Sequence, residues 1–322
     1  MSLRSLIALS ALTFFAFSGV AKASNNIRIA YQPSPLYAPL FVAKTNNWIE
    51  EELKASKSGD VKVDWAVFAA GPAINESFAA GQQDIGFMGD SPALIGKSVG
   101  IDTKIVGLSV SGSKGQAVIV AAKALYSSPK DLIGKKVAVT KGSFAQHLLA
   151  LVLEKEGLSF NDIELINMPP GDIPVAIISG TIDAGVTWEP YITRYESEDA
   201  IRVLVDGTGL KKGTQPILAS RAAIEKKRIA VEAVLRAYVR GAEFLRAHPK
   251  EAAVLASKES NLSPEWLEKV FAKQNFAPVL TGGDIAEFKM TETYMRKIGL
   301  LKTGVDVDAW IDRSFFPAKG NK

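Results

Sequence analysis

Cysteine is absent from the 322 residues of the chain, and histidine occurs only as His147 and His248. The missing cysteines exclude disulfide bonds, thiol nucleophiles and cysteine-ligated metal sites. The sequence also lacks GxSxG, HExxH and GxxxxGK[ST] motifs. Acidic residues such as Asp84 and Asp183 stand singly before predicted strands, where we expect local hydrogen bonds to backbone N–H groups. We therefore predict no catalytic residue, no metal and no cofactor.

Long apolar runs are also missing, except near the beginning of the chain. Arg4 precedes a largely apolar run from Leu6 to Val20, and Ala21, Lys22 and Ala23 follow it. This pattern is typical of a secretory signal peptide with an A-x-A cleavage site. The run is shorter than the roughly 20 residues of a membrane-spanning helix. We predict cleavage after Ala23 and a freely soluble exported protein.

A strong excess of charge of either sign is missing as well. Without Arg4 and Lys22, the 38 basic residues fall to 36 against 34 acidic ones, and the net charge falls from +4 to +2. This balance argues against a nucleic-acid partner. The 47% hydrophobic content is enough for one large core or two of ordinary size. We expect a monomer.

The clearest local pattern lies between Phe68 and Leu94. Gly71 and Pro72 predict a helix start, because proline is favoured in the first helical turn. Residues 84–88 then predict a buried strand, and residues 89–92 start a second helix. Strands and helices alternate in this way over much of the chain. The fold class is therefore α/β, with parallel strands and helices on the sheet faces.

A second passage repeats this order. Gly81, Asp84 and Gly86 have the spacing GxxDxG, and so do Gly180, Asp183 and Gly185. We interpret the repeat as two similar lobes. The alternative is that any βαβ unit has glycine and aspartate at the ends of its helices and strands. After Arg221 the sequence is helical and should pack back on the first lobe.

We predict a signal peptide at 1–23, a first lobe at 24–112 and 214–322, and a second lobe at 113–213. Two strands, at 118–122 and 216–220, are predicted to cross between the lobes and form a hinge. A single helix is predicted from about Ala38 to Leu53.

The loops that face the predicted cleft consist mainly of small residues at helix starts. Helix N-termini present unpaired N–H groups and a positive dipole end, which favour an anion. The candidate ligand-binding residues are Gln32, Ser34, Gly71, Gly89, Asp90, Ser91, Gly142, Ser143, Phe144, Trp188 and Glu189. Each glycine or serine could alone be an ordinary helix cap, so the prediction depends on their convergence.

The aromatic and the acidic residues of this set leave alternatives open, and so does His147, which lies outside it. Phe144 and Trp188 could pack an organic tail or belong to a lobe core. Asp90 and Glu189 would repel a bare oxyanion unless they turn outward, cap their helices or meet a cation; a ligand with an ammonium group would also suit them. His147 follows Ser143 by four residues on a predicted helix, but a half-buried surface histidine is favoured over a hydrolase pair.

Four passages resemble the periplasmic substrate-binding proteins of ABC importers in the aliphatic sulfonate, taurine and nitrate group. They are FAAGPAINESFAAGQQDIGFMGDSPAL, DLIGKKVAVTKGSFAQHLLALVLEKEGL, GTIDAGVTWEPYI and VDGTGL at Val205–Leu210, and the resemblance extends from Ile29 to about Phe316. It implies the two-lobed periplasmic binding protein fold (type II), with two hinge strands and a ligand cleft between the lobes. The positions that match the family's ligand loops are Gln32, Gly71, Gly89, Asp90, Ser91, Gly142, Ser143 and Trp188.

The resemblance implies a solute-binding component that delivers an alkanesulfonate or taurine to an inner-membrane ABC permease. Its ligand would be a small-molecule anion or zwitterion. Binding of nitrate or a thiamine precursor, or a lyase or hydrolase on the same fold, are the alternatives. A sensor or adaptor that docks on another protein is a further one.

Overall fold

Two five-stranded sheets organise the chain. The computed structural model describes residues 26–56, 58–260 and 262–316. The predicted signal peptide and its cleavage site therefore lie outside the described residues. No helix in these three ranges combines the length and the apolar character that crossing a membrane requires.

The ten strands of the described residues alternate with helices. The strands are β1 (Asn26–Tyr31), β2 (Lys62–Val67), β3 (Ile85–Phe87), β4 (Thr103–Gly112), β5 (Gln116–Ala121), β6 (Lys136–Val139), β7 (Glu164–Asn167), β8 (Ala184–Trp188), β9 (Ile201–Asp206) and β10 (Gly213–Ser220). The helices before β10 are α1 (Ala38–Thr45), α2 (Trp48–Ala55), α3 (Gly71–Ala79), α4 (Asp90–Ser98), α5 (Phe144–Lys155), α6 (Asp172–Ile178) and α7 (Tyr191–Ser197). Those after β10 are α8 (Arg221–Lys226), α9 (Arg228–Ala247), α10 (Pro249–Ser260), α11 (Pro264–Phe271), α12 (Gly282–Lys297) and α13 (Val307–Trp310).

The two sheets have the same topology. The first has the order β2-β1-β3-β10-β4, and the second has the order β7-β6-β8-β5-β9. In each, four strands run in one direction, and the fourth strand in the order, β10 or β5, runs antiparallel to both of its neighbours. The predicted α/β class and the two similar lobes are confirmed. We call the first sheet with its packed helices the first lobe, and the second sheet with α5, α6 and α7 the second lobe.

The first glycine and the aspartate of the GxxDxG repeat have the same structural roles in both lobes. Gly81 and Gly180 follow helices at φ +68° and +73°, a left-handed conformation that glycine adopts without strain. Asp84 accepts a hydrogen bond from the backbone N–H of Arg28 at 2.9 Å, and Asp183 accepts one from Lys136 at 2.9 Å. Both aspartates therefore bind backbone N–H groups as expected, but those of a neighbouring strand rather than local ones.

The chain crosses between the sheets twice, at different places from those predicted. It passes from β4 to β5 through residues 113–115 and returns from β9 to β10 through residues 207–212. Residues 118–121 and 216–220 instead pair on both sides inside single sheets, as parts of β5 and β10. Residue 122 lies just beyond β5. Strands β5 and β10 are each hydrogen-bonded along both edges within one sheet, so neither can pass from one sheet to the other. The short segments that precede them make the crossings.

The predicted helix from Ala38 to Leu53 is two helices, α1 and α2. Asn47 lies between them at φ 56°, in the left-handed region that asparagine tolerates better than most residues. The later helices pack back on the first lobe as predicted: α9 contacts α1 and α2, and α12 contacts α4.

The buried apolar core extends through both lobes. One cluster joins Ile27 and Phe87 of the first sheet to Val137 and Val186 of the second. Phe144 belongs to the same cluster. The first turn of α5 is therefore packed at the level where the two lobes meet.

Candidate functional site

The predicted ligand residues lie at the sheet edges and helix starts between the two lobes. Those of the first lobe are Gln32 and Ser34 after β1, Gly71 at the start of α3, and Gly89, Asp90 and Ser91 at the start of α4. Those of the second lobe are Gly142, Ser143 and Phe144 at the start of α5, with Trp188 and Glu189 at the end of β8. Eight of these side chains are at most 5% exposed: Gln32, Ser34, Asp90, Ser91, Ser143, Phe144, Trp188 and Glu189.

Residues from the two lobes touch directly at this place. The Ser34 hydroxyl donates a 2.7 Å hydrogen bond to the backbone carbonyl of Glu189. The Phe144 ring lies so close to Gly89 that a Cβ atom there would be 3.0 Å from its Cδ1 atom. The ring centroids of Phe144 and Trp188 are 5.3 Å apart. The structure thus brings the two predicted halves of the cleft together in a closed arrangement.

Asp90 is paired with a lysine of this chain. Its Oδ2 atom lies 2.6 Å from Nζ of Lys211, and these side chains are 1% and 0% exposed. Its Oδ1 atom accepts hydrogen bonds from the backbone N–H and the hydroxyl of Ser91, at 2.6 and 3.0 Å. Asp90 therefore meets a cation, which was one of the conditions under which an acidic residue is compatible with an anion site.

Glu189 meets a cation as well. Its Oε1 atom accepts hydrogen bonds from Nζ of Lys273 at 3.1 Å and from the Thr193 hydroxyl at 2.8 Å, and its Oε2 atom accepts one from the Thr193 N–H. Burial raises the pKa of Glu189, while Lys273 and Thr193 act in the opposite direction. Lys273 follows α11, which packs with the first lobe, so this pair also links the lobes.

Among the small residues, Gly71 permits two helices to pack closely, whereas Gly142 and Ser143 shape the start of α5. Gly71 allows α3 and α4 to pack, because a Cβ atom there would lie 2.5 Å from Cγ of Pro92. Ser143 caps α5: its hydroxyl accepts from the N–H of Gln146 at 3.3 Å and donates to the carbonyl of Thr140 at 2.7 Å. Gly142 has φ +75°, so glycine suits this turn into α5.

Gln116 is a candidate that the sequence analysis missed. It is fully buried at the start of β5, directly after the first crossing, and pairs with Trp188 in the sheet. Neither its Nε2 nor its Oε1 atom has a hydrogen-bond partner in the structure. Both Nε2 of Gln116 and the Phe144 ring lie within 4 Å of the position of a Cβ on Gly213. An unpaired buried amide beside the cleft offers a ligand one donor group and one acceptor. The sequence signal that could have identified Gln116 is its position as the one polar residue, at the first position, of the otherwise apolar strand QAVIVA.

A hydrogen-bond chain continues along the first lobe. Nε2 of Gln32 donates to the Tyr37 hydroxyl at 3.1 Å, and that hydroxyl donates to Oε1 of Gln215 at 2.5 Å. Gln32 is thereby oriented by its neighbours.

His147 and Ser143 do not form a catalytic pair. The Ser143 hydroxyl is occupied by its capping bonds, and neither ring nitrogen of His147 has a partner. The interpretation of His147 as half-buried is wrong, since only 2% of it is exposed. Its ring stacks on Tyr294 of α12 at 5.0 Å, because α5 lies against a helix from the distant end of the sequence. Burial, together with the charge of Lys211, holds the pKa of His147 well below 6.5.

Within the described ranges, no group of three or more histidine, aspartate or glutamate side chains is placed to hold a metal ion.

Comparison with known proteins defines the family. Residues 34–252 match the NMT1/THI5-like family. The chain belongs to this family. Two relatives named for binding aliphatic sulfonates are each 30% identical to this NMT1/THI5-like chain. The one from Escherichia coli K12 aligns over 81% of each chain, and the one from Bacillus subtilis 168 over 92% of this chain and 89% of its own.

A solved structure extends the likeness of this NMT1/THI5-like protein to three dimensions. The alkanesulfonate-binding protein SsuA from Xanthomonas axonopodis pv. citri, bound to MOPS, superposes with a TM-score of 0.81 at 28% identity. The match covers 89% of this chain and 98% of that one. The fold is thus the two-lobed periplasmic binding protein fold that the resemblance implied.

The buried Asp90–Lys211 pair makes a stability prediction. Replacing Lys211 with methionine leaves a buried carboxylate without its cation, so we expect Lys211→Met to lower the free energy of unfolding by about 3–5 kcal/mol. Urea denaturation measures this change. Lys289→Met is the matched control, because the Lys289–Asp308 pair is 51% and 52% exposed and should contribute only about 0–1 kcal/mol. Equal losses in the two variants would contradict the prediction.

The buried imidazole of His147 predicts a pH dependence. Because its folded-state pKa is lowered, the unfolded chain binds a proton below about pH 6.5 that the folded chain does not bind. This histidine should therefore cost up to about 1.4 kcal/mol of stability for each pH unit below that value. We expect His147→Phe to lose less stability than the wild type between pH 6.5 and 5.0 in urea titrations. His248→Phe is the control. If His147→Phe lost as much as the wild type, the prediction would be wrong.

Proposed function

We propose that this chain is the solute-binding component of an ABC importer and binds a small organic sulfonate between its lobes. The observation that carries the proposal is the neutralisation of both cleft carboxylates, Asp90 by Lys211 and Glu189 by Lys273. Without those lysines, two carboxylates would repel a sulfonate. With them, the starts of α4 and α5 can act as hydrogen-bond donors, each contributing about 0.3–1 kcal/mol toward an anion.

The alkanesulfonate is favoured over taurine. Both oxygen atoms of Asp90 already have partners, so a ligand ammonium group would compete with Lys211 for the carboxylate. The names of the sulfonate-binding relatives support an organic sulfonate in general, and the preference over taurine rests on the pairing of Asp90. The unpaired amide of Gln116 supplies a neutral donor, which suits a permanently ionised sulfonate.

The ligand is held by closure of the two lobes around it. Ser34, Phe144 and Lys273 all make contacts across the cleft, and these contacts exist when the lobes are together. A ligand that touches both lobes favours this state by its additional contacts. We further propose that the chain works as a monomer in the periplasm, after removal of residues 1–23, and docks on an inner-membrane permease. An enzyme using Ser143 and His147 is not favoured, because these residues are not paired.

A ligand panel tests the proposal. We expect ethanesulfonate or butanesulfonate to raise the melting temperature, because a ligand at 1,000 times its Kd adds about 4 kcal/mol to the free energy of unfolding. Calorimetric titration gives the Kd, and NMR of the ligand released from the protein shows whether it is recovered unchanged. Butanoate is the matched control for the alkyl chain. A shift with nitrate or a thiamine precursor alone, or turnover of the ligand, would refute the sulfonate proposal.

Replacing Gln116 tests its role in that site. Gln116→Leu keeps a similar volume and removes two unpaired polar atoms, so the fold should be retained. We expect the affinity for the sulfonate to fall about tenfold, measured by calorimetry, since one hydrogen bond to a charged group is lost. The control is Gln83→Leu, which removes a buried glutamine that bonds to Ser77 outside the cleft. Unchanged affinity in Gln116→Leu would exclude Gln116 from the site.

A further inference from the structure

A pocket of about 500 Å³ lies between α5 of the second lobe and α12 of the first. This volume is in the range of small-molecule sites in proteins. The lining is mostly apolar and includes His147 and Leu151 from α5, Leu210 from the second crossing, and Met290, Thr291 and Tyr294 from α12. Phe144 precedes His147 by one helical turn, so the pocket adjoins the cleft. The Lys211–Asp90 pair, to which Thr291 is also bonded, lies between them.

His147 is a buried polar residue of this pocket that has no hydrogen-bond partner among the described residues. Its side chain forms part of the wall, it is 2% exposed, and neither Nδ1 nor Nε2 has a partner. Both nitrogens are covered in this structure, so the ring has to turn toward the pocket before a ligand can bond to its edge. Because a buried polar atom without a partner is costly, that bond recovers free energy. A neutral imidazole has one donor and one acceptor nitrogen, and a hydroxyl group can bond to either.

The charged residues at the rim already have partners. Lys297 lies 2.6 Å from Glu154, and Lys289 lies 2.5 Å from Asp308. Glu287 accepts a hydrogen bond from the backbone N–H of Lys212 at 3.2 Å. The rim therefore does not require a charged ligand, in contrast to the anion-binding helix starts of the cleft.

We propose that this pocket is a second small-molecule site, which takes a neutral molecule with an apolar or aromatic body and one hydroxyl group. The body packs on Leu151, Leu210 and Met290, and the hydroxyl bonds to the imidazole of His147. Because the walls come from both lobes, the occupant favours their closed arrangement. This last step rests on the proposed sulfonate function: the occupant and the sulfonate should each raise the affinity for the other by the same factor.

Direct binding to the sulfonate-free protein tests the site, with 4-propylphenol as the probe and calorimetry or ligand-observed NMR as the readout. We expect saturable 1:1 binding, and about tenfold weaker binding of propylbenzene, which lacks the hydroxyl. His147→Phe keeps a flat ring beside Tyr294 and should abolish the preference for the phenol. Absence of saturable binding, or equal binding of the two probes, would overturn the proposal.

Filling the pocket provides the second variant. Met290 is 60% exposed, so Met290→Trp should fold and should weaken 4-propylphenol binding at least tenfold. Val254→Trp, at a 53% exposed position on α10, is the matched control and should bind like the wild type. Unchanged binding in Met290→Trp would place the probe elsewhere. These measurements need no sulfonate, so they stand apart from the ligand panel for the cleft.

Discussion

The pairing of each cleft carboxylate with a lysine is the constraint on which the rest of the site depends. Asp90 and Glu189 are almost completely buried, and a buried charge without a partner is strongly destabilising. Lys211 and Lys273 resolve this problem, and both come from parts of the chain far from the residues they neutralise. Because Lys273 follows α11 while Glu189 follows β8, the same ion pair also links the two lobes. The Lys273–Glu189 pair thus both neutralises a buried carboxylate and holds the two lobes in contact.

The repeated topology explains why the ligand residues converge. Each lobe places the carboxyl ends of its parallel strands and the following helix starts at one edge of a sheet. The chain crosses between the sheets through two short segments, so these two edges face each other. Gly89 at the start of α4 and Phe144 at the start of α5 come into contact for this reason. A site with donors from both sides follows from the topology before any ligand is considered.

The local part of this arrangement could be predicted from the sequence, and the long-range part could not. Gly81, Asp84 and Gly180 have roles set by a turn or by a neighbouring strand, so their spacing was informative. The break at Asn47 was missed because apolar residues continue at helical spacing on both sides of it. Lys211, Lys273 and the burial of His147 depend on contacts between elements far apart in sequence. No local pattern marks such partners, although Gln116 stood out as a polar residue opening an apolar strand.

Helix α5 connects the two places where the lobes meet. Its first residue, Phe144, packs against Gly89 in the cleft, and His147, one turn later, packs against Tyr294 of α12. Farther along, Glu154 pairs with Lys297 of the same partner helix. A rigid helix that contacts the opposite lobe along its length cannot leave one contact and keep the others. If the lobes separate as rigid bodies, opening of the cleft also exposes His147 and separates the walls of the neighbouring pocket, which couples the cleft and the pocket through the position of one helix.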